Sequence, residues 1–122
     1  VLRIFQDVDH SNLSFIMDTG QLRGSPGASG DPDPEVDIYG YMEQTLPHAG
    51  YVRCKIYQIA GGREEVLDCE RIARLLQRAN YNGCISIVYE GREQADRTEL
   101  IGKAAAHLRE VLGIDARAKR RS

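Results

Sequence analysis

Three short runs along the chain concentrate apolar residues in the way strands do, and a stretch with helical spacing follows each. The runs are residues 13–18 (Leu-Ser-Phe-Ile-Met-Asp), 51–57 (Tyr-Val-Arg-Cys-Lys-Ile-Tyr) and 84–89 (Cys-Ile-Ser-Ile-Val-Tyr). After the first, residues 19–33 are rich in Gly and Pro and read as a loop long enough to act as a lid. A helix over 35–46 follows, opened by Pro34 in its first turn and ended before Pro47. After the second run comes a turn at Ala60-Gly61-Gly62-Arg63 and a helix over 69–79. Asp68 is its N-cap, and Ile72, Leu75, Leu76 and Ala79 form one apolar stripe. After the third run, a helix over 97–112 buries Ile101, Ala104, Ala105, Leu108, Val111 and Leu112, with Gly113 at its C-terminus. Residues 1–8 read as the end of a preceding helix, Leu2 and Phe5 sharing a face, and Asp9-His10-Ser11-Asn12 as a turn. This alternation predicts an α/β architecture of parallel strands covered by helices. It forms one domain over residues 1–115, with 116–122 as a basic disordered tail.

Alternation along each strand sorts the side chains into two faces. Leu13, Phe15 and Met17 oppose Ser14, Ile16 and Asp18; Val52, Cys54 and Ile56 oppose Tyr51, Arg53, Lys55 and Tyr57; Ile85, Ile87 and Tyr89 oppose Ser86, Val88 and Glu90. The first set of each pair suits packing under helices. The second set places Asp18, Arg53 with Lys55, and Glu90 at or near the carboxyl ends of the strands, where α/β folds bind ligands. A fully buried parallel sheet is apolar on both faces, and a charge there is costly unless paired or wet. The four charges therefore read either as a functional site or as an ion-pair cluster closing the end of the sheet, and the two readings are compatible.

The net charge of −2 supplies no electrostatic reason to bind nucleic acid or an acidic membrane. No apolar run approaches the roughly 18 residues a membrane span needs. Val1-Leu2-Arg3-Ile4-Phe5 leads into neither the apolar core nor the cleavage site of a signal peptide, and an apolar opening without Met reads as an interior start. Cys54, Cys69 and Cys84 have no C-x-x-C spacing and read as reduced, inert thiols, buried or partly so, of a cytoplasmic protein. His10 and His48 read as solvated, and His107 as a partly buried helix residue. The stretch Gly20 to Gly30 lacks the Gly-Lys-Ser/Thr of a phosphate loop and reads as a substrate cover, with Gln21 and Arg23 as contacts. Lys119-Arg120-Arg121 is too short to argue for nucleic acid.

Four segments carry a family resemblance. Ile16-Met17-Asp18-Thr19-Gly20 resembles the sixth-strand motif of xylose-isomerase-like sugar isomerases and epimerases, in which an Asp of an Asp-Thr-Gly-like sequence binds a divalent metal. Tyr51-Val52-Arg53-Cys54-Lys55 resembles the seventh strand, His-x-His-x-Lys, and Leu67-Asp68-Cys69-Glu70-Arg71-Ile72 the opening of the next helix. Tyr81-Asn82-Gly83-Cys84-Ile85-Ser86-Ile87-Val88-Tyr89-Glu90-Gly91 resembles the eighth strand, Tyr-x-Gly-x-Ile-Ser-Ile-Glu-Tyr-Glu-Gly, and is the most specific piece. The resemblance spans roughly residues 1–112. It implies the C-terminal three strand–helix units of a (β/α)8 TIM barrel.

The resemblance also implies a divalent metal, Mg²⁺ or Mn²⁺, held by Glu, Asp, His and Glu, with a sugar between metal and acid–base carboxylates. Only Asp18 matches that set here. Arg53 stands at the His position, Val88 at the final Glu position, and the first Glu would lie on an earlier strand. Arg has no lone pair for a cation and Val offers nothing, so the metal site is degraded unless Glu90 substitutes for Val88. Alternatively, Arg53 takes the place of the metal as a fixed positive charge. The implied function is a sugar or sugar-phosphate isomerase/epimerase-like protein transferring a proton beside a carbonyl. Asp18, Glu90 and Lys55 would be catalytic, and Arg53, Gln21, Arg23 and Tyr57 would bind substrate. A non-catalytic sugar-binding or scaffold barrel is the alternative; a DNA-repair endonuclease is disfavoured, because its His and carboxylate metal ligands are missing. Three units cannot close a barrel of about 250 residues. The expected partners are therefore a small sugar and the rest of a barrel, from the same or another chain, as in a homo-oligomer, with no nucleic acid and no membrane.

Overall fold

A computed structural model describes residues 1–27, 31–92 and 95–114. The expected tail over 116–122 and the end of the expected lid, 28–30, lie outside the described residues. The chain is mixed α/β, built on a parallel sheet of β1 (Phe15–Asp18), β2 (Ala49–Ile56) and β5 (Ile85–Tyr89) in the order β1-β2-β5. Asp18 pairs with Arg53 in register, and Lys55 with Val88. That register sets the carboxyl ends of all three strands at one rim. β2 starts two residues earlier than the apolar run suggests, because Ala49 pairs with Phe15 across a bulge.

Helix α1 (Leu2–Val8) precedes the sheet and buries no residue; its Phe5 ring stacks on His48 with centroids 4.5 Å apart. Helix α2 (Ile38–Thr45) begins at Ile38 rather than at residue 35. The reason is chemical. Asp33 accepts from the Glu35 amide and forms a turn, and Asp37 then caps the helix by accepting from Gly40 N. A 3₁₀ turn, Leu46–His48, carries Pro47 into β2. Helix α3 (Cys69–Arg78) starts on the expected cap, Asp68, which accepts from Arg71 N, and buries Ile72, Ala73, Leu75 and Leu76. Helix α4 (Arg97–Leu112) has the expected bounds and a left-handed Gly113 at its end, with φ 67°. Its expected stripe is kept at Ala104 and Leu108, with Ala105, Val111 and Leu112 half-buried, and it differs at one edge. Leu100, Ala104, His107 and Leu108 face inward, whereas Ile101 is exposed. The i, i+4, i+7, i+8 spacing from Leu100 is as regular as the one from Ile101, and contact with α3, β5 and the neighbouring hairpin decides between them.

The sequence pattern predicts only a turn at this hairpin. It holds two short antiparallel strands, β3 (Ile59–Ala60) and β4 (Arg63–Glu64), joined by Gly61 (φ 56°) and Gly62 (φ 77°). Positive φ at both central positions is the geometry that Gly-Gly adopts without penalty.

The core lies between the sheet and the helices. Met17, Val52, Ile72 and Leu76 form one cluster with α2, and Cys54, Ile56, Ala104 and Leu108 form another with α4. The opposite sheet face, bearing Ile16, Tyr51, Arg53, Ser86 and Val88, is half-buried to exposed, and Ile16 keeps 53% of its surface. No helix among the described residues is long and apolar enough to cross a membrane.

Candidate functional site at the strand rim

Asp18 ends β1 and is held on both sides. Its Oδ1 accepts from Gly20 N at 2.9 Å, and its Oδ2 lies 3.5 Å from Arg53 Nε and 3.9 Å from Lys55 Nζ. Thr19, fully buried, extends the pairing: its amide donates to Arg53 O and its Oγ1 accepts from Lys55 N at 2.9 Å. Lys55 is only 3% exposed, and its ammonium donates to Glu90 Oε1. Glu90 is positioned by its own amide, which donates to Ile56 O at 2.8 Å and continues the β2–β5 ladder past Tyr89.

The result is a carboxylate–ammonium–carboxylate row with Arg53, partly solvent-facing, at its open side. Each carboxylate presents one buried oxygen, Asp18 Oδ2 and Glu90 Oε2, that takes no hydrogen bond from the described residues. Such oxygens are strong acceptors in a poorly solvated place. Tyr57 closes the row from β2's end. Burial pushes its phenol well above the usual range, and the Glu90, Asp18 and Glu64 carboxylates push it further, so it stays protonated at neutral pH.

Gly20 is the close-approach residue of the site. A β-carbon there would collide with the Tyr57 hydroxyl and come within 2.6 Å of Lys55 Cγ. Gly20→Ala is expected to cost about 2 kcal/mol, measured by thermal unfolding, as overpacking of a well-packed site does. A change below a few tenths of that would mean that the rim yields freely.

Of the residues singled out from sequence, Asp18, Arg53, Lys55, Glu90 and Tyr57 converge at this rim. Gln21 and Arg23 lie on the loop after Asp18 with exposed side chains. Of the thiols, Cys54 and Cys69 are buried and Cys84 is exposed, the last contrary to expectation because it precedes the edge strand β5. The Cys54 thiol is pushed well up by its hydrogen bond with Cys69 and by burial, which suits an inert role.

Sequence reasoning missed Glu64. Its carboxylate, 8% exposed, accepts from the amides of Tyr57, Gln58, Val66 and Leu67. Burial pushes the carboxyl up while the four donors pull it down. The signal was available in Gly61-Gly62 followed by Arg63-Glu64, a tight hairpin turn leading into a short strand.

Asp18 does not sit among other metal donors of the described residues. Among the described residues no three His, Cys, Asp or Glu side chains are grouped to hold an ion, and the Asp18 carboxylate faces two cations. A divalent metal does not fit this donor set, so the chemistry below is developed without one. No protein-family model, no curated protein and no solved structure matches the chain.

Proposed function

We propose that this chain is the C-terminal part of a (β/α)8 barrel of the xylose-isomerase-like type, and that its rim transfers a proton beside the carbonyl of a sugar or sugar phosphate. One observation carries the reading: two carboxylates, each with a buried oxygen that accepts no hydrogen bond from the described residues, flank a buried ammonium at the carboxyl end of a parallel sheet. In this reading one carboxylate, Asp18 or Glu90, takes the proton from the carbon next to the carbonyl. The bonding pair moves toward the carbonyl oxygen, and Arg53 and Lys55 stabilise the enolate charge that develops. The same carboxylate or its neighbour returns the proton to carbon. Tyr57, protonated, donates to a sugar hydroxyl, and Gln21 and Arg23 contact the substrate's far end. The uncovered sheet face and the free edges of β1 and β5 are where the remaining strands, from this chain or another copy, would pack. The free thiols suit a cytoplasmic setting.

One feature favours a second reading, a barrel that binds sugar without turnover: Lys55 engages both carboxylates, as a purely structural rim cluster would. Solvent deuterium exchange separates the two. Incubated in D₂O with a panel of ketoses and ketose phosphates, the active protein incorporates deuterium at carbon. Asp18→Asn and Glu90→Gln each reduce the rate by about 10²-fold or more. Sugar binding without exchange supports the scaffold, and no sugar binding at all removes both readings. Mn²⁺ binding that Asp18→Asn abolishes would restore the metal enzyme and refute the metal-free mechanism.

A further inference from the structure

Arg53 has the most exposed side chain of the four rim charges, at 42%, against 3% for Lys55, 7% for Asp18 and 28% for Glu90. It approaches Asp18 Oδ2 through Nε, at 3.5 Å. Among the described residues its guanidinium donates no hydrogen bond and meets no second carboxylate. A pair this exposed adds little to stability, and Lys55 already faces both carboxylates. The use of an arginine here is therefore sought in what its planar fork of donors can hold.

Charge and register set the ligand. Asp18, Lys55 and Glu90 carry one more negative than positive charge, and an anion would be repelled from them. Arg53 cancels that excess and does so on the solvent side of the row. Asp18 pairs with Arg53, and Arg53 with Ser86, so the three residues form one row across β1, β2 and β5 on the open face of the sheet. Ser86 stands one strand away from Arg53, about 4.8 Å, and is half-buried. Its hydroxyl, too, forms no hydrogen bond among the described residues. A guanidinium fork beside a hydroxyl suits a carboxylate or a phosphate, whose oxygens only accept.

Resting on the reading of the rim as a sugar site, whether or not it turns sugar over, we infer that Arg53 and Ser86 hold an oxyanion of the substrate, a carboxylate or a phosphate monoester. The rim then selects an acidic sugar over a neutral one. The terminal amino groups of Arg53 take the oxyanion, while Nε stays toward Asp18 and the reacting carbonyl. The probes are fructose, fructose 6-phosphate and 5-ketogluconate, titrated calorimetrically at low salt while the ¹H–¹⁵N signal of Arg53 Nε is followed. At least one acidic sugar is expected to bind about tenfold more tightly than fructose and to shift that signal, and which of the two does so names the oxyanion. Arg53→Gln is expected to bring the acidic-to-neutral ratio of affinities close to one. Arg53→Lys, which keeps the charge and loses the fork, and Ser86→Ala are each expected to lower it about threefold. Equal binding of all three sugars, or an acidic preference that survives Arg53→Gln, overturns the inference and leaves the rim a sugar site. An acidic preference that depends on Arg53, without deuterium exchange at carbon, supports it and refutes turnover instead. Binding of none of the three removes the inference together with the sugar site. If Arg53→Gln fails to fold, Arg53→Lys combined with Ser86→Ala decides the matter, since an undiminished acidic preference in that double variant overturns the inference.

Discussion

Lys55→Met is expected to lower the stability of the folded chain by about 3–5 kcal/mol at neutral pH, the cost of leaving buried charge unpaired. The substitution keeps most of the aliphatic stem and removes only the ammonium, so little packing is lost. What remains is Asp18, 6% exposed, and Glu90, whose side chain is 28% exposed, without the cation that faces both. Arg53 compensates only in part: it reaches Asp18 at 3.5 Å from a side chain that is 42% exposed and therefore screened. Urea unfolding measures the effect. Adding Glu90→Gln should recover part of the loss, a coupling that two independent sites would not show. A loss under about 1 kcal/mol would mean that Lys55 is solvated and the rim is not a charge cluster.

The elements that were legible in the sequence are those whose signal is local. Helix α3 declares itself through Asp68 and a four-residue apolar stripe, and helix α4 through its length and Gly113, and both are found at or within one residue of the expected bounds. The parallel sheet follows from the alternation of strand and helix, and the facing of Asp18, Arg53 and Lys55 from the two-residue period of strands. Where the reading failed, a contact distant in sequence overrode a local pattern. The inward stripe of α4 is set by packing against α3, β5 and the β3–β4 hairpin together, and two-residue strands carry no periodicity to detect. Asp37 displaced Pro34 as the start of α2 because side-chain capping outranks the preference of Pro for a first turn.

The candidate site divides in the same way. Its strand-borne members were visible because a charge on a sheet face is conspicuous. Its support was not: the approach of Gly20 to Lys55 and the bond from Lys55 N to Thr19 link residues 35 and 36 positions apart. Gln21 and Arg23 were assigned from their position after Asp18 alone, and a loop gives no period from which to infer where a side chain points.

Glu64→Ala carries the other large expected effect, a loss of about 4 kcal/mol, although Glu64 itself belongs to no reaction. Four amide donors, at 2.8–3.2 Å, converge on one carboxylate. Alanine leaves them without an acceptor, at about 1–3 kcal/mol for each one that stays buried and dry. Water can reach the Gln58 amide, which belongs to an exposed residue, whereas Tyr57 and Leu67 are buried, so the sum falls well short of four full penalties. Glu64→Gln should fall between the parent and alanine: its carbonyl oxygen keeps part of the set, while its NH₂ confronts the remaining donors. Hydrogen exchange localises the damage. The amides of Tyr57 and Leu67 are expected to lose protection first, because the carboxylate ties the end of β2 to the segment that leads into α3. Tyr57 is also the residue that closes the rim over Lys55, so the substitution should loosen the row of charges without touching any of them. If Glu64→Ala were to unfold at the parent's urea midpoint with the Tyr57 amide still protected, the hairpin would be held by its Gly-Gly turn alone, and the rim would owe nothing to the carboxylate behind it.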